Sequence, residues 1–174
     1  MVRGRMAHPG LVVVVTVCAA LIGCAGASKV RPDPLNGSWR VVTMQLVAAD
    51  GTTTDLPAHE SLLIFADGYY SIGYAFGGER PAPYAERWHP TDVERIKRFR
   101  SILVNAGTYR IDGDRLVARP LFALAPEFVE GRGEFTFRFV GDALELTWEK
   151  SFAFDGLEYP SAGTVTRLRL ARAE

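Results

Sequence analysis

Cysteine is nearly missing from this sequence. There are two, Cys18 and Cys24, both in the first 24 of 174 residues. A domain beyond them has no disulfide and must be held by its packed core. Charge of one sign is missing too: 20 Lys and Arg stand against 20 Asp and Glu. Nucleic acid selects for a concentrated basic surface, so this balance argues against it. It equally argues against a polybasic membrane patch. No C-x-x-C, H-E-x-x-H, Gly-rich phosphate loop or G-x-S-x-G occurs, so the motif-borne metal, nucleotide and serine-hydrolase chemistries have no starting point. Asp112-x-Asp114 lacks the other ligands of a calcium loop and reads as a hairpin turn. No cofactor and no metal site are expected. Long hydrophobic runs are absent: Leu11 to Ile22 is apolar and uncharged but shorter than the about 20 residues of a membrane span.

That run has another use. Arg3 and Arg5 precede it without any acid, and small residues follow. Basic start, short apolar core and small residues are the parts of a secretory signal. The cleavage region allows two readings. Ala25-Gly26-Ala27 is an A-x-A-like site. Leu21-Ile22-Gly23-Cys24 resembles the lipobox of bacterial lipoproteins, where cleavage precedes a cysteine that carries diacylglycerol and, commonly, palmitate. The second reading is favoured because it gives Cys24 a purpose. It implies a signal peptide over 1–23 and a lipidated N-terminus and tether over 24–34, small, polar and Pro-containing. The remainder, 35–174, is long enough for one domain with a real core. Loss of residues 1–23 leaves 18 basic against 20 acidic residues, so the lipid would be the membrane attachment. The expected location is the cell envelope, on the periplasmic side of the outer membrane in a diderm cell, since Ala25 and not Asp follows Cys24.

Turn signals recur at Asp50-Gly51, Asp67-Gly68, Asp112-Gly113, Gly141-Asp142 and Asp155-Gly156. Between them lie short runs rich in β-branched and aromatic residues. The spacing predicts eight strands: 38–46, 61–66, 69–76, 103–111, 115–121, 133–140, 143–150 and 164–171. Alternation is clearest where Phe135, Phe137 and Phe139 share one face and Leu144, Leu146 and Trp148 share another. One helix is expected after Thr91-Asp-Val-Glu94, which has capping-box spacing. Its apolar side is Val93, Ile96 and Phe99; its wet side is Glu94, Arg95, Lys97 and Arg98. The Gly- and Pro-rich segment 77–90 reads as a loop or lid, and 123–132 as a second long connection. The fold class is all-β: an eight-stranded antiparallel up-and-down barrel with one short helix.

Leu35-Asn-Gly37-Ser-Trp39, Ser61 to Ile72 around Asp67-Gly68, and Asn105-Ala-Gly107-Thr108-Tyr109 occur in an order that resembles the lipocalin-like domain family of bacteria and fungi. The resemblance spans Leu35 to about Leu170. It implies a lipocalin- or calycin-like barrel able to hold an apolar ligand, and it brings no catalytic set. It also implies that Gly37 and Trp39 are structural, with Trp39 plugging the closed end under an arginine of the last strand. Arg167 and Arg169 are the candidates for that arginine. Two features depart from the family pattern: Arg119 before Pro120, and the long 123–132 connection.

The candidate ligand-binding residues are Tyr70, Tyr74, Trp88, Tyr109, Arg119, Phe137 and Trp148. Tyr70, Ile72 and Tyr74 share a strand face and could share an interior with the phenylalanines and Trp148. The competing reading is that these aromatics fill the barrel. His89, before the helix, is a candidate acid–base group against the plainer reading of a surface histidine; His59-Glu60 is similar but weaker. Three functions follow: a lipid-anchored module binding a small hydrophobic or amphipathic molecule; an interaction lipoprotein with a filled barrel and an exposed apolar patch on segment 77–90 or 123–132; and an enzyme with His89 or Arg119 at the mouth. The enzyme needs two convergent titratable groups in the pocket.

Overall fold

The computed structural model describes residues 33–161 and 163–173. The signal run, Cys24 and most of the tether lie outside these residues.

Nine strands form: β1 (Gly37–Val47), β2 (Thr53–Asp55), β3 (Ala58–Ala66), β4 (Tyr69–Phe76), β5 (Ile102–Asp112), β6 (Arg115–Ala123), β7 (Arg132–Val140), β8 (Ala143–Phe152) and β9 (Val165–Arg172). Eight of them, all but β2, pair antiparallel with their sequence neighbours, and β9 returns to β1. The result is a closed eight-stranded up-and-down barrel. Closure leaves no long unpaired edge to aggregate. The alternation of apolar and polar residues suits it, because a closed sheet buries one face of every strand.

β2 is the strand that period-two patterning does not reveal. It is three residues long and exposed, and it pairs with β1 only over Gln45–Val47. β3 pairs with the other end of β1, from Gly37 to Arg40. So β1 and β3 part company toward one end of the barrel, and β2 fills part of the gap. β6 and β7 also separate toward that end, pairing only over Arg115–Ala118 and Gly133–Thr136. The barrel is therefore open at the end where β4 and β6 finish. The other end is tied by the tight Asp67-Gly68, Gly113 and Gly141 turns, whose glycines have positive φ.

Helix α1 (Asp92–Arg100) begins at Thr91 with a complete capping box. Glu94 N–H donates to the Thr91 hydroxyl, and the Glu94 carboxylate accepts from Thr91 N–H at 2.8 Å. The same carboxylate takes Ala85 N–H at 2.8 Å and ties the preceding segment down. The expected burial of an apolar face does not occur. Val93, Ile96 and Phe99 all remain exposed and the helix buries no residue. The barrel already closes on itself, so this nine-residue helix lies at its rim and is not a layer of its core.

Trp39 plugs the sealed end. Trp39 is 1% exposed and donates its indole N–H to Leu35 O at 2.7 Å. Its cationic neighbour is Arg172, with the guanidinium 4.0 Å from the ring centroid. The expectation of Arg167 or Arg169 is thus corrected: both point outward while Leu168 and Leu170 point in. Arg172 continues the inward phase and sits directly opposite Trp39 in the β1–β9 register. Gly37 explains the Gly-x-Trp spacing. Its φ is +128°, and a Cβ there would lie 2.1 Å from Arg172 Nη1. Only glycine lets the guanidinium reach across and donate to Asn36 O.

Candidate functional site

Above this plug the barrel is not filled. A cavity of about 320 Å³ opens toward the mouth. It falls at the lower end of the roughly 300–1,000 Å³ of small-molecule sites. Phe65, Leu116, Leu146 and Leu168 form its deeper wall.

β4 supplies one side with Tyr70, Ile72, Tyr74 and Phe76 at period two. The facing side is the stacked pair Phe135 and Trp148, with centroids 5.8 Å apart. Trp148 donates its indole N–H to Ser151 Oγ at 2.7 Å. A bulge sets this up: Phe135 pairs with Trp148 but Glu134 pairs with Lys150, so Glu149 is the extra residue. The phase of β8 shifts there, and Ser151 is buried beneath the indole.

Polar groups are sparse. Arg132 reaches the cavity but is engaged, donating to Glu134 at 2.8 Å and lying 3.7 Å over the Phe152 ring. Arg100, at the end of α1, also borders the cavity and has no ion pair or hydrogen bond among the described residues. Tyr74 is 3% exposed, and its hydroxyl is buried without any partner. Burial pushes its phenol up to about 12 from an ordinary 10.0. Burial raises the Tyr70 phenol above its usual range as well.

The candidate residues therefore divide. Tyr70, Tyr74 and Trp148 line the cavity. Tyr109 does not: its ring packs edge-on against Phe65 at 5.1 Å, and its hydroxyl donates to the Asp33 carboxylate at the sealed end. Burial and that carboxylate both raise the Tyr109 phenol. Phe137 likewise points inward but sits beside Phe139, whose ring lies tilted against Trp39 with centroids 6.1 Å apart. Inward phase was right for both; their height along the barrel puts them in the plug. Trp88 is 85% exposed on the loop. Arg119 faces solvent on β6, but its backbone matters. Gly107 packs so tightly on it that a Cβ there would lie 2.0 Å from Arg119 O. The bulge around Leu121 that follows accommodates Pro120, which has no N–H to give the ladder.

His89 is a surface side chain beside Glu86, with Nδ1 3.4 Å from its carboxylate. Neither it nor Arg119 lines the cavity, so the geometry the enzyme reading needed is not assembled. Glu60 is exposed, and the His59 side chain is outside those described. Asp112 and Asp114 are exposed in the β5–β6 turn. Among the described residues, no three His, Cys, Asp or Glu side chains gather as a metal site. No helix among them is long and apolar enough to cross a membrane.

Sequence reasoning missed Phe99 as a cavity residue, and Arg100 and Ser151 altogether. Phe99 and Arg100 end a helix whose docking depends on the rim. Ser151 is brought inward by a bulge that period-two counting does not foresee.

A closed eight-stranded barrel with a Trp plug and an apolar interior defines the lipocalin-like class. The lipocalin-like domain family matches residues 36–172, nearly the whole described region, and the chain belongs to that family. No curated protein matches the chain.

Proposed function

We propose that this protein is a lipid-anchored envelope lipoprotein whose barrel holds one small hydrophobic or amphipathic molecule. The observation that carries the reading is the apolar cavity of about 320 Å³, walled by β4 and by the Phe135–Trp148 pair. A barrel built only to display its surface would gain stability by filling that space, since each void costs packing energy. The anchor rests on the basic start, the apolar run and Gly23-Cys24. With signal cleavage before Cys24, the acylated thioether would hold the barrel to the envelope, in diderm cells at the outer membrane facing the periplasm.

The ligand reading is tested by native mass spectrometry of the protein gently extracted from its own cells. A co-purifying small molecule is expected, and it should be lost in Ala118→Trp, which fills the cavity from β6. The anchor is tested separately by Cys24→Ala, which should release the protein from the membrane fraction; retention there refutes the lipid assignment.

The interaction reading keeps one specific support. Leu121, Phe122, Phe154, Leu157 and Tyr159 stand exposed on the segments around the mouth. Its other requirement, a filled barrel, is not met.

A further inference from the structure

We infer that the guest is a single-chain amphiphile with an acidic head, its tail in the barrel and its head at the mouth between the Tyr74 hydroxyl and Arg100. This rests on the cavity reading above and specifies the chemical class of its ligand.

Tyr74 carries the inference. A buried hydroxyl without a partner loses its hydrogen bonds to water and gains nothing in return. A phenylalanine would fill the same place without that cost. Three other aromatic polar groups of the barrel are satisfied. Trp148 N–H has Ser151, Tyr109 O–H has Asp33, and Trp39 N–H has Leu35 O. Among the described residues only Tyr74 Oη and Arg98 Nη1 are buried side-chain polar atoms without a partner. Tyr74 is a cavity-wall residue, and the acceptor that its buried hydroxyl lacks is the one a guest would bring.

The position of Tyr74 fixes which end of the guest meets it. It lies two residues from the mouth end of β4 and packs edge-on against Phe76 at 4.8 Å. Its neighbour across the β4–β5 ladder is Leu103, three residues after Arg100. Arg100 is the cavity-lining cation left unpaired, since Arg132 already holds Glu134. A neutral donor held protonated and an unpaired guanidinium together suit an anionic acceptor. At the deeper level Phe65, Leu116, Leu146 and Leu168 suit a hydrocarbon tail, with the Tyr70 phenol the polar group beside them. The cavity volume is that of one small amphiphile and is too small for a two-chain lipid.

The test uses the full-length protein and a neutral fluorescent naphthylamine probe, displaced by dodecanoate and by methyl dodecanoate. Dodecanoate should displace the probe at a concentration about tenfold below that of the ester, as a charge-assisted hydrogen bond implies. Tyr74→Phe should weaken dodecanoate by about tenfold relative to the probe and to methyl dodecanoate. Unliganded Tyr74→Phe should be at least as heat-stable as the parent, which separates loss of binding from loss of fold. Arg100→Gln, at the exposed rim, should weaken dodecanoate and remove its salt dependence. Equal displacement by acid and ester, or unchanged dodecanoate affinity in Tyr74→Phe, overturns the inference while leaving the cavity reading intact. Failure of the probe and both amphiphiles to bind overturns both.

Discussion

Gly37 and Arg172 show how one backbone angle serves a distant side chain. The glycine leaves the space through which the guanidinium covers Trp39, so the two should fail together. Gly37→Ala should cost about 1–3 kcal/mol, from strained backbone and the displaced arginine. Arg172→Ala should cost about 0.5–2 kcal/mol as the cation–π contact is lost. Thermal unfolding of both single variants and the double checks the coupling: the double should be less destabilised than the sum. Strict additivity would mean that Arg172 does not depend on Gly37.

The interior tyrosines make a second statement at this scale. Tyr70, Tyr74 and Tyr109 all have phenols raised above the ordinary 10.0, with Tyr74 at about 12. In the folded barrel they keep protons that the unfolded chain releases near pH 10. Their contribution to stability is therefore complete below about pH 10 and is lost as pH rises toward 12. Tyrosinate absorbance should rise together with loss of the β-sheet circular dichroism over that window. Ionisation of all six tyrosines near pH 10 with the fold intact would contradict the burial described.

Among the elements, α1 is the one whose formation and packing come apart. Its capping box and dipole-matched charges, Asp92 and Glu94 early and Lys97, Arg98 and Arg100 late, favour helix locally. Little tertiary packing backs them, so Thr91→Ala should cost about 1 kcal/mol of local stability. Hydrogen exchange in α1 should quicken while barrel strands keep their protection. Slowed or unchanged exchange in the helix would mean that the rim holds it more firmly than its exposure indicates. The sequence signalled this helix through Thr91 and Glu94, but its 3.6-residue apolar spacing implied a buried face that the closed barrel has no room to accept.

Strand positions were legible for a related reason. Asp-Gly and Gly-Asp pairs mark the turns, and alternation marks what lies between, so Tyr69–Phe76 follows directly from residue order. Bulges are not legible in this way. The register shift between Val41 and Thr43 and the extra residue Glu149 change phase without any turn signal. That is why Ser151 was hidden, while Tyr70, Tyr74 and Trp148, which lie before any shift, were visible as inward residues. Arg172 keeps the inward phase of Leu168 and Leu170 but lies one residue beyond the last strand as predicted, 164–171. Height along the barrel was also hidden. Tyr109 and Tyr74 have the same inward phase, but only their pairing partners reveal that one seals the floor and the other stands at the mouth.

For the molecule as a whole, a guest that fills the cavity should stabilise the barrel by mass action. At a free concentration about 100-fold above Kd, the gain is about 2.7 kcal/mol. Differential scanning calorimetry should show Tm rising with ligand concentration, and Ala118→Trp should abolish the dependence. A ligand that binds at the exposed mouth residues instead would keep its concentration dependence in that variant.

The chain meets the barrel at its floor. Asp33 is held by Tyr109, and Leu35 is wholly buried under Trp39. The described chain thus enters at the pole opposite the opening. A guest can therefore come and go through the mouth without loosening the Leu35–Trp39 contact that closes the base.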